Sequence, residues 1–158
     1  MTGVGRYFLW LFPPSSNFCP VTLTLRIDWS ELDLFGHVNN VSFFKYQQAA
    51  RVSYWEHIGL STLSDTITLG PMLASASIDF RRPLHYPGMV RIETHVSYIR
   101  NTSFGLEHRM YDAGGNLCAE GKDAVVLFDY SKGEKATVPD DIRKKVEAEE
   151  GQRFPPPL

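Results

Sequence analysis

From Met72 onward the chain is one strand-length stretch after another: Met72 to Pro83, Met89 to Arg100, Ser103 to Asp112 and Asn116 to Tyr130. Between them stand the turn formers His85 to Gly88, Asn101 with Thr102, and Gly114 with Gly115. Val90, Ile92, Val96 and Tyr98 alternate with Arg91, Glu93, His95 and Ser97, which gives one apolar and one polar face. Ala124 to Phe128 is apolar enough for the interior of a sheet. Strands joined by such short turns pair antiparallel, and their apolar face must be covered by something else in the chain.

Only one segment is long enough to cover it. Val41, Phe44, Gln48, Val52, Trp55 and Ile58 recur every three or four residues, with Ala49 beside them and Gly59 placed to close the run. This spacing predicts a helix of about five turns whose apolar face is that set. Before it, Val21, Leu23, Leu25 and Ile27 alternate with Thr22, Thr24, Arg26 and Asp28, the pattern of a half-buried strand. After the meander, Pro139 and Asp140 open a short charged helix, Asp141 to Glu150. The order predicts an α+β fold in which an antiparallel sheet buries one face on a single long helix. Residues 1–20 read as a disordered or partner-covered tail, 21–150 as a single domain and 151–158 as a C-terminal tail. A sheet exposed along its edges invites pairing with a second copy, so a homodimer, or a tetramer built from two such pairs, is expected.

Charge excludes several function classes. Sixteen basic and eighteen acidic residues leave a net charge of -2, too little field to attract nucleic acid or an anionic membrane. Tyr7 to Phe12 is too short to be a signal-peptide core or to span a bilayer. Cys19 and Cys118 lie far apart and outside any CxxC pattern, which fits reduced thiols in the cytoplasm. The five histidines show no metal-ligand spacing, and there is no GxSxG elbow or Walker loop. Neither a metal nor a cofactor is expected.

The residues with most chemistry lie between the first strand and the helix. Trp29 to Asn40, WSELDLFGHVNN, puts Asp33, Gly36, His37, Asn39 and Asn40 in a tight loop at a helix start. The first amides of a helix lack partners inside it, and the helix dipole makes that end electropositive. A polarised carbonyl oxygen is stabilised there, and a carboxylate beside it can act on the carbon. Read without context, Asp33 is equally a turn residue accepting loop amides, and Asn39 is a natural cap.

The run Asp33, Gly36, His37, Val38, Asn39, Asn40, with the aromatic helix start Phe43, Phe44 and Tyr46, resembles the hotdog-fold acyl-CoA thioesterases of the 4-hydroxybenzoyl-CoA thioesterase type. The resemblance extends over about Val21 to Tyr130, and Ile78 to Ile99 is similar to that family's second and third strands. It implies a hotdog fold, an antiparallel sheet wrapped around one long central helix. It also implies hydrolysis of an acyl-CoA or acyl-carrier-protein thioester. In those relatives the aspartate at the position of Asp33 attacks the thioester carbonyl or activates water, and a first-turn amide, by position that of Asn40, holds the carbonyl oxygen. His37 would shape the site or assist proton transfer. Phe35, Gly36 and Tyr46 would face the acyl group. Arg81, Arg82 and Arg100, with Ser103, would meet the nucleotide part of CoA, guanidinium forks being matched to phosphate. Two departures stand out: the acidic residue before Asp33 is Glu31, and Asp28 lies near a slot where relatives carry arginine. A hotdog hydratase or dehydratase acting on enoyl-CoA, and a non-catalytic acyl-binding module, are the competing readings.

Overall fold

The computed structural model describes residues 21–60 and 68–155; the expected N-terminal tail lies outside the described residues. Five strands form between the turn formers: β1 (Val21–Arg26), β2 (Leu69–Phe80), β3 (Met89–Ile99), β4 (Ser103–Tyr111) and β5 (Leu117–Asp129). Strand β2 starts and ends three residues earlier than the expected Met72 to Pro83, so that Arg81, Arg82 and Pro83 lie beyond the strand. A two-residue β6 (Glu134–Lys135) pairs with β5. The sheet is antiparallel at every pairing, in the order β1-β3-β4-β5-β2. The apolar Ala124 to Phe128 run lies on β5, flanked by β4 and β2, as its composition requires. At the far edge, β2 exposes Met72 through Ser77.

Two helices, not one, cover the inner face. Helix α1 (Asn40–His57) has 18 residues, the five turns expected, and Gly59 after it takes φ 72°, a left-handed conformation that glycine adopts without cost. Beneath its first half lie Ile27, Val38, Leu84, Val90, Ile92 and Met110. Under its second half, Tyr54 and Ile58 meet Val96, Leu106 and Val125, and there α2 (Asp140–Glu150) adds Ile142 and Val146. Each such fully buried aliphatic side chain contributes roughly 1.5–3 kcal/mol.

The buried face of α1 differs from the one the apolar spacing indicated. Phe43, Tyr46, Gln47, Ala50, Arg51, Tyr54 and Ile58 point inward, whereas Val41 is 58% exposed, Phe44 40%, and Gln48 lies in solvent. The reason is a polar core. Asp123 on β5 is buried, and its carboxylate accepts from Arg51 Nη1 at 2.6 Å and Gln47 Nε2 at 2.7 Å, and pairs with His108 Nε2 at 2.9 Å. His108 Nδ1 in turn meets Thr94 Oγ1 at 2.9 Å. Burial alone would push the Asp123 carboxyl up, but the His108 and Arg51 interactions outweigh it and hold the group below the usual carboxylate range. The helix therefore turns its Gln47 and Arg51 side toward the sheet. It sits so close that a Cβ on Gly121 would fall 2.3 Å from Gln47 Oε1.

Candidate active site

Beyond β1 the chain makes one turn of 3-10 helix, Trp29–Glu31, and then folds back on itself. Asp28 caps that turn by accepting from Ser30 N at 2.8 Å, while Glu31 Oε2 accepts from Asp28 N at 2.9 Å, the reciprocal capping box. Leu32 and Val38 form an antiparallel bridge. On either side of it, Asn39 N donates to Glu31 O at 2.8 Å and Asp33 N to His37 O at 2.8 Å. The result is a miniature hairpin, 31–39, whose tip Leu34-Phe35-Gly36 requires φ 76° at Gly36. Nothing lies within 4 Å of a Cβ built there, so backbone conformation alone calls for glycine.

Asp33 sits just inside the tip, half-buried. Its Oδ1 accepts from Phe35 N at 2.8 Å and His37 N at 3.1 Å, while no described residue donates to Oδ2. Asn39 ends the hairpin and caps α1, accepting from Val41 N at 2.9 Å. The next amide, that of Asn40, has no acceptor among the described residues and opens α1 at its electropositive end. A fixed carboxylate with one free oxygen and an unpaired helix-start amide thus lie on one continuous stretch of chain, the hairpin and the residue that follows it.

The other flank of the hairpin is held by the β2–β3 connection: Val38 N donates to Leu84 O at 3.0 Å, and His37 bridges to His85. The two imidazoles meet edge to face, centroids 5.1 Å apart. His85 had no sequence signal as a site residue; its phase in a turn gave no hint that it would face His37. Phe35, 84% exposed, projects from the tip, with Leu34 and Trp29 also exposed. Tyr46 behaves differently from the substrate contact that the resemblance implies. It is 3% exposed and its hydroxyl donates to Glu31 Oε2 at 2.5 Å, so the hydroxyl is engaged within the protein.

The basic residues divide between the two ends of the sheet. Arg81 and Arg82 follow β2 at the hairpin end, both amides donating to Cys118 O, and the Arg81 guanidinium rests on Glu120 at 3.0 Å. Arg100 and Ser103 lie at the opposite end, across the full length of the 11-residue β3, roughly 35 Å away at strand rise. Arg100 lies over the Tyr98 ring, 5.1 Å from its centroid. Within one chain, Arg100 and Ser103 do not join Asp33. Among the described residues no cluster of His, Cys, Asp or Glu is arranged to hold a metal, and no helix is long and apolar enough to cross a membrane.

The model of a thioesterase-like superfamily matches residues 27–146 of this chain. The chain is 30% identical over 108 residues to the uncharacterized protein YsmA of Bacillus subtilis strain 168, covering 68% of this chain and 71% of that one. Among solved structures, a thioesterase from Thermus thermophilus complexed with coenzyme A and zinc is similar, with a TM-score of 0.76 and 26% identity, covering 87% of this chain and 99% of that one. A thioesterase-superfamily protein from Jannaschia sp. CCS1 shares the fold with a TM-score of 0.79 at 22% identity, covering 90% of this chain and 89% of that one.

Proposed function

Since this chain belongs to the thioesterase-like superfamily, we propose that it hydrolyses an acyl thioester of coenzyme A to the free acid and thiol, with Asp33 and the Asn40 amide as its catalytic groups. One observation carries the reading: the Asp33 carboxylate, held through Oδ1 and, among the described residues, open at Oδ2, sits on a hairpin that leads directly into a helix-start amide with no acceptor among those residues. The thioester oxygen binds the Asn40 N–H. Oδ2 of Asp33 then supplies the attacking oxygen, its own or that of a water it deprotonates. Negative charge moves onto the carbonyl oxygen, where a preorganised amide contributes a few kcal/mol. Collapse of the tetrahedral species expels the thiolate. On the water route the free acid forms at once and the thiolate takes the proton Asp33 removed. On the direct route the acyl group is left as an anhydride on Asp33, which water cleaves to the free acid and the regenerated carboxylate, supplying the thiol's proton. His37 and Gly36 shape the turn, and Phe35 faces the acyl group.

The architecture is read as a hotdog fold, with α1 as the helix on which the sheet curls, acting in the cytoplasm. A homodimer forms by antiparallel pairing of the exposed β2 edges, and pairs of dimers would give a tetramer. Antiparallel pairing brings one subunit's Phe80 end next to the other's Leu69 end. Arg100 and Ser103 of a second copy then approach the Asp33 hairpin, joining Arg81 and Arg82 around the nucleotide. The CoA complex of the Thermus thermophilus relative supports a CoA thioester, with the acyl-carrier-protein thioester as the related substrate. The test is thiol release across aromatic, branched and straight-chain acyl-CoAs, with crotonyl-CoA monitored for loss of enoyl absorbance. Free thiol released in step with the loss of enoyl-thioester absorbance is expected, because cleaving the thioester ends the conjugation. Loss of enoyl absorbance without thiol would reverse the assignment in favour of hydration.

A further inference from the structure

We infer that Glu31 and Tyr46 are positioning residues that lock the Asp33 hairpin to helix α1 and thereby fix the carboxylate relative to the Asn40 amide. The inference rests on the proposed roles of Asp33 and Asn40 and adds what sets the separation between them.

The two reacting groups belong to two bodies. Asp33 is carried by the 31–39 hairpin, and Asn40 is the first residue of α1. Between the two bodies the chain runs only through Asn39, a single pivot. Glu31 removes the freedom to turn about that pivot. Its backbone oxygen accepts from Asn39 N at 2.8 Å, closing the base of the hairpin. Its side-chain Oε2 accepts both from Asp28 N at 2.9 Å, fixing the approach to the hairpin, and from the Tyr46 hydroxyl at 2.5 Å, reaching the second turn of α1. Tyr46 cannot swing away: its ring is buried with Phe43, Ile27 and Val38. The opposite flank of the hairpin is held by Leu84 and His85, which belong to neither body. Asn39 joins the two bodies only at the first turn of α1, through its cap to Val41 N at 2.9 Å and its carbonyl to Ser42 N at 2.9 Å. The Glu31–Tyr46 bond is therefore the tie that reaches from the other strand of the hairpin to the second turn of α1. The acidic residue that departs from the family pattern acquires a role from this geometry, and so does the buried tyrosine.

A displacement of about 1 Å between reacting groups can cost up to a hundredfold in rate. Loosening one of the hairpin's two flanks should cost about tenfold in kcat. The experiment measures kcat and KM for thiol release by the full-length protein and by Tyr46→Phe, Glu31→Ala, the double variant, Glu31→Gln, Asp33→Asn and Tyr54→Phe. Tyr54 is the control. Its hydroxyl makes a similar buried bond, to Glu150 at 2.6 Å, on the same helix but far from the hairpin. Expected are about tenfold losses of kcat in Tyr46→Phe and Glu31→Ala with KM within twofold of wild type. The double variant should be no worse than either single, because both break one tie. Glu31→Gln, which keeps an oxygen for both donors, should recover most of the rate, and Tyr54→Phe should lower thermal stability with kcat unchanged. Wild-type kcat in Tyr46→Phe and Glu31→Ala, beside an inactive Asp33→Asn, overturns the tie and leaves the catalytic reading standing. Equal losses of kcat in Tyr54→Phe and Tyr46→Phe overturn it too, by showing a general stability effect. Full rate in Asp33→Asn overturns both.

Discussion

Asp123→Ala should be among the most destabilising single substitutions in this protein, although it lies on β5 and not in the Asp33 hairpin. The carboxylate accepts from Arg51 and Gln47 and pairs with His108, and the Arg51 and Asp123 side chains are 8% and 0% exposed. Removing it strands a buried guanidinium, and breaking one partner of a buried ion pair typically costs about 3–5 kcal/mol. The amide of Gln47 loses the nearer of its two acceptors as well, keeping the Lys122 carbonyl at 3.4 Å. Unfolding entropy near 2.1 cal/mol/K per residue gives about 0.3 kcal/mol/K for a chain of this size, so Tm should fall by roughly 10–15 °C. The sign with pH follows from the lowered carboxyl. Its stabilisation is fully present above the unfolded value of 3.8 and is lost as pH falls through the depressed folded value. The penalty of the substitution should therefore be full at pH 7 and shrink below about pH 4. Calorimetry of both proteins between pH 3 and pH 7 measures this directly. A loss under about 1 kcal/mol at neutral pH, or a penalty that grows toward acid, would refute the view that this ion pair fixes the inward face of α1.

Glu150 predicts the opposite pH trend. It is 3% exposed, its Oε1 accepts from Tyr54 and Val96 N, its Oε2 has no hydrogen-bond partner among the described residues, and burial pushes its carboxyl above the ordinary 4.5. A raised folded value means stability is greatest below 4.5 and declines as pH rises from there through the folded value. Relative to Glu150→Gln, the wild type should lose Tm between pH 4.5 and neutrality, and a pH-independent difference between the two proteins would contradict this. At the sheet edge, Leu73→Lys places a charge on the exposed β2 strand and should convert the proposed dimer to a monomer by analytical ultracentrifugation. The same variant should lose thiol release, since Arg100 and Ser103 would no longer reach the hairpin; an active monomer would show that one chain suffices.

Strand positions, the five-turn length of α1 and the strand-loop-helix setting of Asp33 were legible because each follows from local periodicity or local turn chemistry. The inward face of α1 was not. Val41, Phe44 and Val52 form a cleaner apolar stripe than Phe43, Gln47 and Arg51, and only the partner on β5, some 72 residues beyond Arg51, makes the polar face the buried one. One signal did exist: His108 shares its strand face with Leu106 and Met110, and Asp123 shares its face with Val125 and Leu127, so both polar residues fall in the inward phase. Tyr46 was misleading for a related reason. An aromatic near a catalytic loop reads as a ligand contact until its hydroxyl is seen to be committed to Glu31. The separation of Arg100 from Arg81 required the strand order, which no local pattern encodes.

The central claim is that the free oxygen of Asp33 performs the chemistry. Asp33→Asn preserves the side-chain oxygen that accepts from Phe35 and His37 and removes only the carboxylate charge, so the hairpin should remain intact. The decisive measurement is kcat for thiol release by this variant on the best acyl-CoA substrate, with its circular dichroism and Tm compared to wild type. The account predicts an unchanged fold, wild-type Tm within a few degrees and a fall in kcat of at least about a thousandfold. Hydrolysis at an undiminished rate by a folded Asp33→Asn protein would contradict it.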